Sequence, residues 1–261
     1  MNPFFAIGST VLTLGKTLES FGKFIIFCSS LFVLFLKKPR LKEITRHIYI
    51  IGVGTIGVIF LTAFFTGMVE SIQLYKGFHQ FGVEGFMGYT IFISITKELG
   101  PVFGSLMVIS RAISAMAAEL GTMRVTEQID AIETLALDSK ELLIIPRIIA
   151  TTISLPILVI IFDFVGNLSA FAISTNILGI NPSTYQSIIQ QNLEFSDIYS
   201  GVIKAFAFGF LISLIGTYVG FSTSGGAKGV GIATTKAVVY AAVTVFAANY
   251  VLSSIFLFLD W

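Results

Sequence analysis

The sequence predicts an all-α integral membrane protein: about five transmembrane helices, an N-terminal interfacial helix and one short charged helix on the cytoplasmic side. Three observations carry this. The 261 residues are 55% hydrophobic and only 12% charged, with a mean hydropathy of +0.90. Two windows, Ile48–Val69 and Ala237–Leu259, contain no Asp, Glu, Lys or Arg. Each is long enough for a helix to cross the hydrocarbon core, which takes about 20 residues. Third, lysine and arginine alternate between rich and poor segments along the chain, as expected when cytoplasmic loops retain them. A soluble chain of this length could not bury several such helices.

Residues 1–47 read as a cytoplasmic or interfacial segment. Its opening stretch, "PFFAIGSTVLTLG", has no basic residue ahead of it and no small-residue cleavage site, so no cleavable signal peptide is expected. Phe24–Leu36, flanked by Lys23 and Lys37-Lys38, is too short to span and suits a helix lying at the membrane surface. The basic run Lys37, Lys38, Arg40, Lys42 and Arg46 should stay inside. From there, 48–261 form one membrane domain.

Span one is expected at Ile48–Val69, followed by an outer loop whose only lysine or arginine is Lys76. Phe86–Ala118 reads as one long or broken helix, interrupted by Lys97, Glu98, Gly100-Pro101 and Arg111, and arriving inside near Glu119. The charged stretch Glu119–Glu141 is then cytoplasmic. Span three starts near Leu142 and runs through Pro156 to about Gly166, with a tail towards Leu178. Residues 179–200 form an outer loop without lysine or arginine. Span four covers Gly201–Phe221, "STSGGAKGVGIATTK" turns back inside, and span five is Ala237–Leu259, leaving Asp260-Trp261 at the outer interface. Five spans place the N-terminus in the cytoplasm and the C-terminus outside.

Several motifs lose their usual meaning in this setting. "GVGTIG" (Gly52–Gly57) matches a dinucleotide fingerprint but lies inside a span, where small residues serve close helix packing. Gly100/Gly104 and Gly216/Gly220 take the same reading. "GGAKGVG" lacks the G-x-x-x-x-G-K-[ST] order of a phosphate loop. The two histidines, His47 and His79, fall on opposite sides of the membrane and cannot share a metal. No catalytic Ser/His/Asp set stands out, no cofactor is implied, and a net charge of +1 gives no basic face for nucleic acid. The single cysteine, Cys28, excludes an internal disulfide.

Charges within spans are costly and face a cavity or a partner. Lys97-Glu98, beside a helix break, suit a polar or head-group contact within an apolar cavity. Arg111 and Asp163 are equally consistent with local pairing or with function. In the stretch "AAELGTMRVTEQIDAIETLALD" (Ala117–Asp138), Thr126 is the expected N-cap of a short helix with Glu127 and Asp130 in its first turn. Ile129, Ile132 and Leu135/Ala136 form one stripe and Glu127, Asp130 and Glu133 another, the pattern of a helix that docks into a groove on a soluble partner.

"KELGPVFGSLMVISRAISAMAAELGTMRVTEQIDAIETLALD" (Lys97–Asp138), "PRIIATTISLPIL" (Pro146–Leu158) and "GGAKGVGIATTKAVV" (Gly225–Val239) resemble the Mla-type (MlaE/YrbE) family of ABC transporter permeases. The resemblance covers nearly the whole chain. It implies a homodimeric, non-catalytic permease of the bacterial inner membrane that moves phospholipids between inner and outer membranes. It also implies an ABC ATPase bound through a coupling helix within 119–141, a periplasmic MCE-domain subunit and, in some systems, a STAS-domain protein. Carried onto this chain, the ATPase contacts are Glu119, Arg124, Glu127, Asp130 and Glu133. Lys97 and Glu98 match polar residues near the lipid cavity, with lysine standing where some relatives have arginine. Position along the spans adds Phe64, Met68, Leu99 and Val102 to the cavity lining. Two other classes remain open on the residues themselves. One is an ion-coupled transporter using Lys97, Glu98 and Asp163 as a relay; the other is a membrane scaffold recruiting a soluble protein.

Overall fold

The structure, a computed structural model, describes Glu19, residues 22–35 and residues 40–259. The stretch up to residue 18, the Lys37-Lys38 pair and Asp260-Trp261 lie outside the described residues. Among the described residues every regular element is helical. A short apolar helix α1 (Gly22–Phe35) precedes α2 (Leu41–Gln80) and α3 (Glu84–Val125). Next come α4 (Gln128–Thr134), α5 (Ser139–Leu143) and α6 (Ile145–Asn176), then α7 (Pro182–Asn192), α8 (Phe195–Phe221) and α9 (Gly226–Phe258). Among the described residues five helices, counting α5 with α6 as Ser139–Asn176, are long and apolar enough to cross a membrane.

The expected spans all exist, and each helix starts ahead of its expected start; the first three also run past their expected ends, while α8 ends at Phe221 as expected and α9 at Phe258, one residue short. α2 has 40 residues and α3 has 42, about 60 Å at 1.5 Å per residue, or about twice the hydrocarbon thickness. Window hydropathy sees only the lipid-facing middle of such a helix. The second span therefore begins at Glu84 instead of Phe86 and runs past Ala118 to Val125, and the third runs past Gly166 to Asn176. The loop after it holds α7, which the sequence reading lacked. Asn181 caps α7, its side-chain oxygen accepting from the backbone N–H groups of Ser183 (2.9 Å) and Thr184 (3.4 Å), ahead of Pro182 in the first turn, where a missing N–H costs nothing.

Gly100-Pro101 does not break α3. The helix absorbs the irregularity as a π-turn at Ser94–Leu99 and has a second π-turn at Ile109–Ile113; α2 has one at Tyr49–Val53. α3, α6 and α8 form the centre. α2 packs along α6, and α9 packs on α8 and on the last part of α3. α2 and α9 bury far less of their apolar surface than the central three. Ile59, Ile91, Ile95, Ile113, Phe162 and Phe208 are fully enclosed between them. α1 lies over the start of α6, with Phe27, Leu31 and Leu34 clustered on Ile144, Ile145, Ile148 and Leu214.

Lipid tails are as apolar as leucine, so helices in a membrane associate through close packing at small residues. A Cβ on Gly67 would overlap the Gly166 carbonyl, one on Gly201 the Thr96 carbonyl, and one on Gly216 the Ile113 side chain. Within "GVGTIG" the roles separate: Gly54 makes room for the Arg111 guanidinium, whereas Gly57 faces open space. Gly67→Ala should therefore lower stability by about 1–3 kcal/mol, read as the thermal midpoint in detergent, while Gly57→Ala leaves it undiminished. Equal behaviour of the two variants would contradict this packing.

Candidate functional site

The bundle has two ends, and the one carrying α4 is called the inner end after the arginines and lysines gathered there. Towards the opposite, outer end lies a polar knot. Its centre is Lys204 on α8, a lysine only 1% exposed. The ammonium has three N–H donors and all three are used: to the Lys97 carbonyl at 2.9 Å, to Glu98 Oε1 at 2.7 Å and to Ser253 Oγ at 2.8 Å. The first bond has a backbone cause. Pro101 has no N–H to offer the carbonyl four residues earlier, and that carbonyl belongs to Lys97. On α9, Ser253 Oγ donates to Glu98 Oε1 at 2.9 Å and Asn249 Nδ2 to Glu98 Oε2 at 2.8 Å. α3, α8 and α9 are thereby joined through one carboxylate, whose side chain remains 45% exposed.

A second pair flanks it. The Lys97 ammonium lies 2.7 Å from Asp197 Oδ1, and Asp197 Oδ2 accepts from the Glu194 backbone N–H at 3.0 Å, closing a capping box that starts α8. Asp197, Lys204, Asn249 and Ser253 were not among the sequence candidates. Lys204 carried a readable signal: a lone lysine in an apolar span demands an acid nearby. Its partners could be paired with it only in three dimensions.

Asp163 on α6 stands apart. Its Oδ1 is buried without a hydrogen-bond partner, and Gly100 leaves the space it occupies. Together with Thr96, whose hydroxyl is likewise unpartnered, it lines a largely apolar groove of about 350 Å³ between α3, α6 and α8. No recorded bond joins Asp163 to Lys97 or Glu98. Of the expected apolar lining residues, Phe64 stacks on Phe60 on the open face of α2, Met68 is half-buried one turn on, and Leu99 and Val102 pack against the main core.

At the inner end Glu119 meets Arg147 at 3.0 Å. Arg147 is only 4% exposed, and it also donates to the Leu143 carbonyl at 2.5 Å. This latch ties the last turns of α3 to the first turn of α6. Between them α4 projects outwards. Its N-cap is Glu127, in the left-handed region at φ 61°, and not Thr126. The Thr126 hydroxyl donates back to the Thr122 carbonyl at 2.8 Å, so it finishes α3 instead of starting α4. Arg124 pairs with Asp130 at 2.6 Å and lies over the Phe221 ring. Glu133 accepts from Ser139 Oγ at 2.6 Å. Of the expected apolar stripe, Ile129 is buried, Ile132 half-buried and Leu135 72% exposed; Leu137, beyond the stripe, is 44% exposed.

A polytopic helical bundle with ion pairs inside its spans and a short exposed helix at its inner end has the build of the membrane half of a transporter. A family model described as "Permease MlaE" matches residues 44–255. Over 239 residues the chain is 41% identical to a "Probable ABC transporter permease protein" of Rickettsia bellii, covering 91% of this chain and 92% of that one. It is 30% identical over 255 residues to the "Intermembrane phospholipid transport system permease protein MlaE" of Haemophilus influenzae, covering 96% and 95%. With the chloroplastic "Protein TRIGALACTOSYLDIACYLGLYCEROL 1" of Arabidopsis thaliana it shares 40% identity over 205 residues, 78% of this chain and 59% of that one. The chain belongs to the MlaE family of ABC transporter permeases and is a multi-pass membrane protein.

The knot can be tested by double substitution. Lys204→Met leaves the Glu98 carboxylate without its cation, and Glu98→Gln leaves a buried ammonium without its anion. Each should cost about 2 kcal/mol or more, at the low end for a broken buried pair because Glu98 is half exposed. The double variant should recover part of that loss in thermal unfolding. Strictly additive losses would show that the pair is not coupled.

Proposed function

We propose that this chain is the transmembrane subunit of an ABC transporter that moves phospholipid between the inner and outer membranes of a bacterium, driven by a separate ATPase. The observation that carries the reading is α4. Ile129 seats it on the bundle, most of its other residues are exposed, and just after it Leu135 and Leu137 are exposed near the charged groups of Arg124, Glu127, Asp130 and Glu133. Exposed leucines next to charges suit a groove on a soluble partner, and α4 is joined to α3 by the Arg124–Asp130 pair and to α5 by the Glu133–Ser139 bond. Pressure on α4 would reach the spans through these two contacts. The name carried by the Haemophilus relative supplies the cargo class.

In this reading the protein works as a homodimer in the inner membrane, N-terminus cytoplasmic and C-terminus periplasmic. The sparsely buried faces of α2 and α9 meet lipid or the second copy. Acyl chains lie along Phe64, Met68, Leu99 and Val102, with Lys97 and Glu98 at the polar edge. A periplasmic MCE-domain subunit covers the outer end, and a STAS-domain protein joins the ATPase where the system has one.

Two experiments test this. Arg124→Glu and Glu127→Arg should each reduce co-purification of the ATPase severalfold without lowering the permease's own thermal midpoint; full assembly of both variants would remove α4 as the docking element. In a Cys28→Ser background, a cysteine at Gln128 should react with a membrane-impermeant thiol reagent only after the cells are opened, and one at Gln186 in intact spheroplasts. The reverse pattern would invert the topology.

A further inference from the structure

Arg111 occupies an unusual position. It sits in the α3 π-turn and reaches the π-turn of α2, where its Nη1 donates to the Ile50 carbonyl at 2.9 Å and to Thr55 Oγ1 at 3.1 Å. The Thr55 hydroxyl in turn donates to the Ile51 carbonyl at 2.5 Å. Both acceptors of the guanidinium are neutral. Among the described residues no carboxylate lies within ion-pair distance of it. A full charge at a span held only by dipoles is costly, and the backbone has been shaped to keep it there: a Cβ at Gly54 would collide with the guanidinium.

The same arginine lines a cavity of about 140 Å³ with His47, Ile50, Ile51, Ala112, Ala115, Met116, Glu119 and Arg147. This is about ten times the room one water needs. The wall towards the bundle is apolar, and Ala112 and Ala115 keep it open. Of the charged groups lining it, Arg147 is balanced by Glu119 at 3.0 Å and Arg111 by nothing, so the cavity carries an excess of one positive charge. It lies close to the inner ends of α2, α3 and α6, where the head groups of the cytoplasmic leaflet would stand. Guanidinium groups pair with phosphate oxygens through parallel N–H bonds.

We propose that this cavity is a phosphate-recognition site, anchored by Arg111 and supported by Arg147, which holds a phosphate-bearing group at the inner end of the bundle. It is separate from the Glu98–Lys204 knot at the outer end. It rests on the charge balance of its lining and stands whether or not the ATPase docks as proposed. The chemistry has two sources: the phosphodiester of a cytoplasmic-leaflet phospholipid, or free phosphate.

The test uses the full chain, delipidated in a maltoside detergent and phosphate-free buffer, and reads the thermal midpoint against ligand concentration. Three probes are compared: dihexanoyl phosphatidylglycerol, inorganic phosphate, and dihexanoylglycerol as the matched lipid without phosphate. Phosphatidylglycerol should raise the midpoint saturably and dihexanoylglycerol should not; a rise with inorganic phosphate alone identifies free phosphate as the ligand. Arg111→Gln should weaken the apparent affinity at least about tenfold, equivalent to about 1.4 kcal/mol. Because Arg111 also braces α2 against α3, Ala115→Leu provides a second variant that keeps every charge and fills the cavity, and it too should lose the response. A response to dihexanoylglycerol equal to that of phosphatidylglycerol, no response to either phosphate-bearing probe, or an unchanged response in both variants would overturn the proposal. The assay contains no ATPase, so its failure is distinct from failure of the docking reading.

Discussion

A lysine that is 1% exposed inside a membrane bundle leaves the surrounding helices little freedom. Its charge requires an anion, and its three hydrogens require three acceptors in a roughly tetrahedral arrangement. Glu98, the Lys97 carbonyl and Ser253 supply them from α3 and α9. The relative rotation and height of three helices are set by that requirement. Apolar packing alone would be more permissive, since in lipid it has no solvent to escape and many registers of leucine and isoleucine are nearly equivalent. Gly201 lets α8 approach the Thr96 carbonyl closely, one turn before Lys204, so the small residue and the charge act on the same contact.

The two ends of the bundle are built differently. At the outer end the ions are interlocked: Asp197 serves both Lys97 and the N-terminus of α8, and Glu98 accepts on both oxygens. At the inner end each pairing is simpler and more exposed. Arg124 and Asp130 are a surface pair of the kind that contributes little to stability, and Glu119 is more than half exposed. A transporter driven from one side needs compliance where force enters and rigidity where the spans are held in register, and the distribution of polar contacts follows that division. Of the π-turns in α3, Ser94–Leu99 holds the knot residues Lys97 and Glu98, whereas Ile109–Ile113 lies between the knot and Glu119, where an extra residue per turn loosens the regular ladder.

Much of this architecture was legible in the sequence, for a physical reason. Charge-free windows such as Ile48–Val69 and Ala237–Leu259 have no soluble explanation, and the segregation of Lys and Arg orders the loops. What could not be read were the ends of the helices and the partners of the charges. Helix ends were underestimated because residues such as Glu84, Arg124 and Asp197 lower the hydropathy of segments that are nonetheless helical. The charges of Lys97 and Glu98 stand out in the sequence beside an expected break, yet their partners lie on α8 and α9, far along the chain. The cap expected at Thr126 falls instead at Glu127: preference tables favour threonine at caps, while the chain turns through a left-handed Glu127. Side-chain pairing across helices leaves no periodic trace, so only folding reveals it.

Pro101 and Lys204 form a matched set. By withholding an N–H Pro101 leaves the Lys97 carbonyl open, and the Lys204 ammonium completes its coordination there. An alanine at 101 could return that carbonyl to its own helix, and an apolar residue at 204 would remove the donor that α8 supplies. Neither change is neutral while the other position stays as it is. The two sites should therefore drift through evolution as a unit, and a lineage that abandons the imino acid should be found to have rewired the cation as well.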